Sequence, residues 1–134
     1  MANPMYGQNK ADTKIANNVL ETETLTGAGA CSIVKPVTFL DTTGGAAAVT
    51  LAASEVKGAV KHIIMVKDGG DATLTVANVA AVGNTVTFAA VGDAVSFVNA
   101  ADEDGLIIGW CMVSRESGLA NAVGAFDGPA VSTV

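Results

Sequence analysis

The segment from Asp71 to Asp93 constrains the fold most, because the residues between these two aspartates carry no charge. It reads DATLTVANVAAVGNTVTFAAVGD, and about 20 apolar residues are enough to cross a bilayer as a helix. However, threonine alternates with a larger apolar residue at 73–76 and at 85–88, and a period of two is typical of a strand with one buried face. Gly83 and Asn84 suit a tight turn. The segment is therefore predicted to form strands and not a membrane span.

Similar short apolar runs, separated by Gly and Asp, continue from residue 25 to residue 114. They predict an all-β fold, because several short strands at close spacing are typical of an antiparallel β-sandwich or a small barrel. Two similar pieces, at 37–53 and 86–101, are interpreted as two hairpins. Ser54 is expected to cap one helical turn that ends at Gly58. Strands are predicted at 31–34, 37–40, 49–52, 60–66, 73–76, 85–88, 94–98 and 106–113.

The two ends of the chain differ from this middle part. Residues 1–24 are polar and show no sustained apolar period, so they are predicted to form an extended N-terminal arm. Residues 25–116 form the predicted β domain. Residues 117–134 are rich in Ala and Gly and are predicted to form a C-terminal extension, either ordered on a neighbour or frayed.

Charge and hydropathy restrict the possible partners. The net charge of −6 and the absence of a Lys/Arg cluster argue against a nucleic-acid partner, because phosphate neutralisation needs clustered cations. A mean hydropathy of +0.46 with 15% charged residues indicates that some apolar surface packs against another subunit. The opening MANPMYGQNKADTK has no apolar run of the kind found in secretory signals, so assembly in the cytoplasm is expected.

Reactive side chains are few, and none forms a recognisable catalytic or ligand-binding pattern. His62 is the only histidine, so a zinc site is not expected. Cys31 and Cys111 are the only cysteines and are expected to be reduced, buried thiols in neighbouring strands. The SEVK at 54–57 lacks the companion motifs of penicillin-recognising enzymes. The acidic turn at 102–104 lacks the calcium-loop spacing and is expected to be solvated. No catalytic residue, metal or cofactor is predicted.

One longer pattern carries a family resemblance. Across residues 49–114, a KG step leads to an apolar strand, a DGG turn and TLTV, followed by GNTVTF, GDAVSFV and GW. This pattern resembles the β modules of tailed-bacteriophage head decoration (cement) proteins and head-fibre bases. The resemblance implies a jelly-roll or β-tulip-like domain that assembles as a homotrimer and is not an enzyme. It also implies that the trimer binds the major capsid protein on the outer surface of the virion and stabilises the shell.

Two sets of residues follow from this hypothesis. Capsid binding is assigned to the larger apolar residues of the arm, which are Met5, Tyr6, Ile15, Val19 and Leu20. Core or trimer packing is assigned to Phe88, Phe97 and Trp110. An alternative function is a phage fibre or adhesin domain that binds a host-surface glycan, with Trp110 exposed for stacking on a sugar.

Overall fold

The computed structural model describes residues 19–80 and 83–115, and the predictions for residues 1–18 and 116–134 lie outside these ranges. All regular structure within the described ranges is β, so this part of the chain has no helix that could span a membrane. The strands are β1 (Thr22–Thr26), β2 (Gly29–Cys31), β3 (Val37–Asp41), β4 (Ala47–Leu51), β5 (Val60–Lys67), β6 (Ala72–Val76), β7 (Thr85–Phe88), β8 (Ala94–Ala101) and β9 (Ile107–Arg115).

The strands form two mixed sheets and no closed barrel. One sheet has five strands in the order β9-β8-β5-β3-β1, and the other has four in the order β2-β4-β6-β7. From β1 to β6, successive strands alternate between the two sheets. The chain therefore makes three coils, β1–β2, β3–β4 and β5–β6, each with one strand in each sheet. Neighbouring coils pair in parallel, as in Leu25 opposite Leu40 and Leu51 opposite Val76.

The last three strands close one end of this stack in antiparallel fashion. β7 pairs with β6, and β8 pairs with β5. β9 then pairs with β8 and forms the edge of the five-stranded sheet, where Ala80 donates a backbone hydrogen bond to Trp110 and Trp110 donates one to Asn78. At the other end of the stack, β1 and β2 are the edges of their sheets, with no further strand of the described residues beside them.

The core lies between the two sheets, and strand alternation explains its composition. Inward side chains of the five-stranded sheet, such as Leu40, Ile63 and Phe97, are buried together with Leu74 and Phe88 of the four-stranded sheet. The period of two places every second residue in this core and leaves the intervening residues on the outer faces.

The structure confirms the all-β prediction and corrects its topology. The antiparallel prediction is wrong for β1 to β6, because the pairs between neighbouring coils are parallel. The two similar pieces are not hairpins, since β3 and β4, like β7 and β8, belong to different sheets. Turn residues such as Gly and Asp indicate that the chain bends, but they do not indicate whether it returns to the same sheet.

Three local details also differ from expectation. β1 begins at Thr22, three residues before the predicted start of the β domain. The segment after Ser54 is a turn without a helix, in which Ser54 Oγ accepts a hydrogen bond from the backbone N–H of Val56 at 3.1 Å. Cys31 and Cys111 are both free and lie in different sheets, so the expectation of neighbouring strands is wrong.

Candidate functional site

The outer face of the five-stranded sheet is apolar on β3, β5, β8 and β9, whereas the edge strand β1 presents Thr22, Thr24 and Thr26 there. Phe39, Ile64 and Ala94 are opposite one another across β3, β5 and β8, and Val98 pairs with Cys111 in β9. Most of these side chains are half-buried by their neighbours on the same face, although Val60 and Val113 are 42% and 53% exposed. We define the apolar face as the outward residues Val37, Phe39, Val60, Ile64, Val66, Ala94, Val98, Ala100, Cys111 and Val113.

A single polar pair lies within the apolar face. His62 is opposite Ser96, and His62 Nδ1 is 2.7 Å from Ser96 Oγ. A hydrolytic dyad would need an acid to orient the imidazole, but the described residues place no carboxylate in hydrogen-bonding contact with His62. The pair therefore satisfies two polar side chains on an apolar surface and does not form a catalytic arrangement.

The outer face of the four-stranded sheet has the opposite character. Thr50, Thr75 and Thr85 are in register across β4, β6 and β7, and Thr73 is opposite Thr87 in the adjacent row. We define these five residues as the threonine face. Thr50, Thr73 and Thr75 are exposed. Threonine suits a solvated strand position because its branched side chain fits the pleat and its hydroxyl bonds water. The two outer faces of the molecule are thus chemically different.

A buried lysine organises the polar interior of the coils. Lys61 is only 1% exposed, and its Nζ donates hydrogen bonds to Ser32 O at 2.7 Å, Lys35 O at 2.9 Å and Thr38 Oγ1 at 2.6 Å. All three donors of the ammonium group are therefore used. Burial lowers the pKa of Lys61, while nearby Cys31 and Glu23 oppose this change. Lys61 connects β5 to β3 and to the loop between β2 and β3.

Glu23 is the acidic partner of this lysine. Its Oε2 lies 3.6 Å from Lys61 Nζ and accepts hydrogen bonds from Thr38 Oγ1 at 2.5 Å and Ser32 N at 2.6 Å. Burial acts to raise the pKa of Glu23, but the bonds from Thr38 and Ser32 and the charge of Lys61 outweigh it, so the pKa is lower than usual. The ionised carboxylate therefore helps to hold β1 on the second and third coils.

Cys31 lies beside this cluster and is not an activated nucleophile. Burial raises the pKa of its thiol, although the positive charge of Lys61 opposes the shift. The described residues also contain no group of three or more His, Cys, Asp or Glu side chains that could hold a metal ion. The buried polar cluster is thus a structural feature with no evident chemistry of its own.

The turns that connect the two sheets are stacked on one another. Thr42, between β3 and β4, is buried; its Oγ1 donates to Gly70 O at 2.6 Å and accepts from Gly69 N at 3.1 Å. Gly70 lies so close to the preceding coil that a Cβ there would be 2.7 Å from the carbonyl carbon of Gly45 and would overlap the nitrogen of Ala46. The stacking fixes the spacing of the second and third coils.

The residues assigned from the sequence to capsid binding and to core or trimer packing differ in their exposure. Val19 and Leu20 are 70% and 47% exposed, whereas Met5, Tyr6 and Ile15 lie outside the described residues. Phe88, Phe97 and Trp110 are buried in the core between the sheets.

Trp110 is packed in a way that prevents it from stacking on a ligand. It is 1% exposed, its Nε1 donates to Ala52 O at 2.9 Å, and its ring lies edge-on to that of Phe97 at 6.4 Å. The indole therefore presents no free face to solvent.

Two other short motifs have structural explanations. In the acidic turn, Asp102 Oδ1 accepts hydrogen bonds from the backbone N–H groups of Asp104 and Leu106, each at 2.9 Å. Ser54 of SEVK is buried and accepts the hydrogen bond from Val56. Asp102 Oδ1 and Ser54 Oγ therefore each stabilise a loop.

Sequence reasoning missed the Lys61–Glu23 cluster, although a signal was present. Lys61 has the same strand parity as Ile63 and Met65, so a charged side chain at a core position was visible in the pattern KHIIM.

In comparisons with known proteins, the chain matches no protein-family model and no curated protein.

Proposed function

We propose that this chain is a structural virion protein of a tailed bacteriophage. It binds the major capsid protein on the outer surface of the capsid as a homotrimer and stabilises the shell as a decoration (cement) protein. It assembles in the host cytoplasm and is not an enzyme. The sequence resemblance of residues 49–114 suggests this class, and one structural observation supports it most.

That observation is that the described residues offer surfaces suited to binding other proteins, while their buried polar groups serve to hold the fold together. They present an apolar face and open strand edges, among them β1 and β2, which are features that bind other proteins. The polar side chains of Glu23, Lys61 and Asp102 are occupied in holding loops and coils. A protein that acts by repeated contacts with a lattice needs binding surfaces and no reaction centre.

Two places on the chain are suited to the capsid contact. Val19 and Leu20 are exposed where the arm joins β1, and β1 itself offers unpaired backbone groups to an added strand. The remaining arm residues assigned to this contact, Met5, Tyr6 and Ile15, precede them in the chain.

The glycan-binding alternative is less well supported. Its proposed stacking residue, Trp110, is buried and hydrogen-bonded to Ala52. A fibre or adhesin role would have to use other side chains, and the exposed surface has no aromatic cluster among the described residues.

Capsid binding can be tested with two truncations. Because β1 begins at Thr22 and pairs with β3, the arm deletion should remove residues 1–20, which include Val19 and Leu20, and leave the strand intact. Capsids of the phage that encodes the chain, purified without this protein, are mixed with the full chain, with the arm deletion or with a deletion of residues 117–134. Cryo-electron microscopy then shows whether extra density follows the capsid lattice.

We expect the full chain to decorate the capsids and the arm deletion to bind much more weakly while its melting temperature is unchanged. Deletion of residues 117–134 is the matched control and should bind normally. Loss of binding only in the second deletion would assign the contact to the tail. If the full chain leaves the capsids bare at saturating concentration, the proposed function is wrong.

A further inference from the structure

We propose that copies of this chain associate with one another through the apolar face of the five-stranded sheet. This inference deepens the self-association that is part of the proposed function, because it names the surface responsible. It does not depend on a capsid, so the two proposals can fail separately.

The first reason is the difference between the two outer faces. A sheet with one solvated face usually carries polar side chains there, and the threonine face follows this rule with Thr50, Thr75 and Thr85 in register. The apolar face breaks the rule at the corresponding positions, where Phe39, Ile64 and other apolar side chains point outward. Both faces belong to one small domain, so general hydrophobicity does not explain why only one of them is apolar.

The second reason is that the apolar face can be covered by a copy of itself without leaving a charge unpaired. Among the side chains that the structure describes in the strands of this sheet, the charged groups near the outer face are Asp41 and Lys67, which are opposite each other at the ends of β3 and β5 and attract each other. The central polar residues, His62 and Ser96, already form a hydrogen bond with each other. Burial of unpaired charges costs the most free energy, and this face avoids that cost.

The third reason is the size of the face. Strand spacing of about 4.8 Å and a rise of about 3.3 Å per residue give the four strands β3, β5, β8 and β9 a face about 19 Å wide and about 20 Å long. Its projected area is about 400 Å², which is about half of the roughly 800 Å² that each partner contributes to a stable interface. An interface of that size would therefore also include the loops that border the face.

The same dimensions favour a second copy over a segment of the chain itself. A single extended segment covers roughly the width of one or two strands, since neighbouring strands lie about 4.8 Å apart. A single such segment from residues 1–18 or 116–134 would therefore leave much of the four-strand face uncovered. The same face on neighbouring copies is as wide as this one and can cover it.

The test compares substitutions on the two faces. Ile64→Lys and Val98→Lys each place a charge in the middle of the apolar face, and Thr75→Lys is the matched control in the middle of the threonine face. Sedimentation equilibrium at micromolar concentration measures the association of the full-length protein. We expect the unsubstituted protein and Thr75→Lys to form the same oligomer, and both apolar-face variants to associate at least 100-fold more weakly.

Cysteine labelling gives a second measurement on the unsubstituted protein, which applies even if a lysine variant fails to fold. Cys111 lies on the apolar face and is half-buried, whereas Cys31 lies in the core. Iodoacetamide should label Cys111 slowly in the oligomer and at least tenfold faster when dilution dissociates it. Cys31 should stay unlabelled in both states and so reports on unfolding.

Several results would overturn the inference. These are a monomer at every concentration, an oligomer that survives both apolar-face substitutions when the variants are folded, or dissociation caused by Thr75→Lys alone. A monomer in which Cys111 becomes reactive only after residues 117–134 are deleted would show that the tail covers the face. If the oligomer behaves as expected but bare capsids are not decorated, the proposed function fails and this inference stands.

Discussion

At the scale of single residues, Lys61 and Glu23 show how a small core uses charge. The core residues are mostly aliphatic, and the coils contribute no aromatic side chain to the core. Lys61 instead reaches the backbone of Ser32 and Lys35, so one side chain fixes a loop that has no strand partner of its own. Glu23 attaches the edge strand β1 to the same group.

Replacing Lys61 should therefore destabilise the protein strongly. Lys61→Met keeps the length of the side chain but leaves two carbonyl oxygens and Thr38 Oγ1 without their donor and Glu23 without a positive charge beside it. Removing one member of a buried ion pair costs about 3 kcal/mol or more, so we expect a loss of about 3 kcal/mol in the free energy of unfolding. Urea denaturation measures it, with Lys57→Met at an exposed position as the control. A loss below about 1 kcal/mol would contradict the role given to Lys61.

Glu23 predicts a specific dependence of stability on pH. Its pKa is lower in the folded protein than in the unfolded chain, so its contribution is complete above the unfolded pKa and is lost as the pH falls through the folded pKa. Between about pH 6 and about pH 3, the unsubstituted protein should lose more stability than Glu23→Gln. Urea midpoints across this range measure the difference.

A matched control for this pH series is Glu55→Gln, which removes the same charge from an exposed position. The stability difference between Glu23→Gln and the unsubstituted protein should shrink toward acid pH, whereas that of Glu55→Gln should stay small throughout. Parallel pH profiles for all three proteins would rule out the role of the ionised carboxylate.

At the scale of elements, the sequence predicted where most strands lie but not how they pair. β7 has the predicted bounds, and the alternation of Thr with Leu and Val in β6 was enough to identify that strand. β1, TETLT, was missed because four of its five residues are polar and only Leu25 gives an apolar signal. Pairing could not be predicted because the stacked turns depend on contacts between coils, such as Thr42 with Gly70, that are distant in sequence.

The stacked turns predict a sharp difference between neighbouring glycines. Gly70→Ala would place a Cβ against the backbone of Gly45 and Ala46, whereas a Cβ at Gly44 meets no atom within 4 Å. Overpacking against the backbone costs about 2–3 kcal/mol, so Gly70→Ala should lower the free energy of unfolding by that amount. Gly44→Ala should change it by less than about 1 kcal/mol. Equal effects of the two substitutions, measured by urea denaturation, would mean that the coils are not stacked as described.

At the scale of the whole molecule, the two sheets differ more on their outer faces than on their inner ones. The apolar face could not be predicted from the sequence, because β5 and β8 carry apolar residues at alternate and intervening positions alike, and either side of these strands can be taken as the core. Lys61 and Asn99 make it harder still to tell which side of these strands faces the core, because both are buried although polar residues usually mark the solvent side. Only the pairing of both sheets around one core shows which apolar residues remain outside.

The whole molecule should not depend on a disulfide or a metal ion for its stability. Cys31 points into the core from the four-stranded sheet, whereas Cys111 is on the outer face of the other sheet. We expect the melting temperature to change by less than about 5 °C, roughly 1 kcal/mol for a domain of this size, when a reductant or a chelator is added. Differential scanning calorimetry checks both, and a larger fall with either reagent would contradict this expectation.

The order of the coils also has a consequence for the folding reaction. Parallel partners such as β3 and β5 meet only after the chain has passed through the other sheet, whereas β8 and β9 follow each other directly in sequence and pair at once. Pairings between distant segments form slowly, because the chain loses entropy before contacts compensate for it. The β8–β9 pair is therefore expected to form early in the transition state and the β5–β8 pair, which joins Val60 to Val98, to form late. Weakening the β5–β8 pair, for example by Ile63→Val, should then speed unfolding and leave the folding rate nearly unchanged.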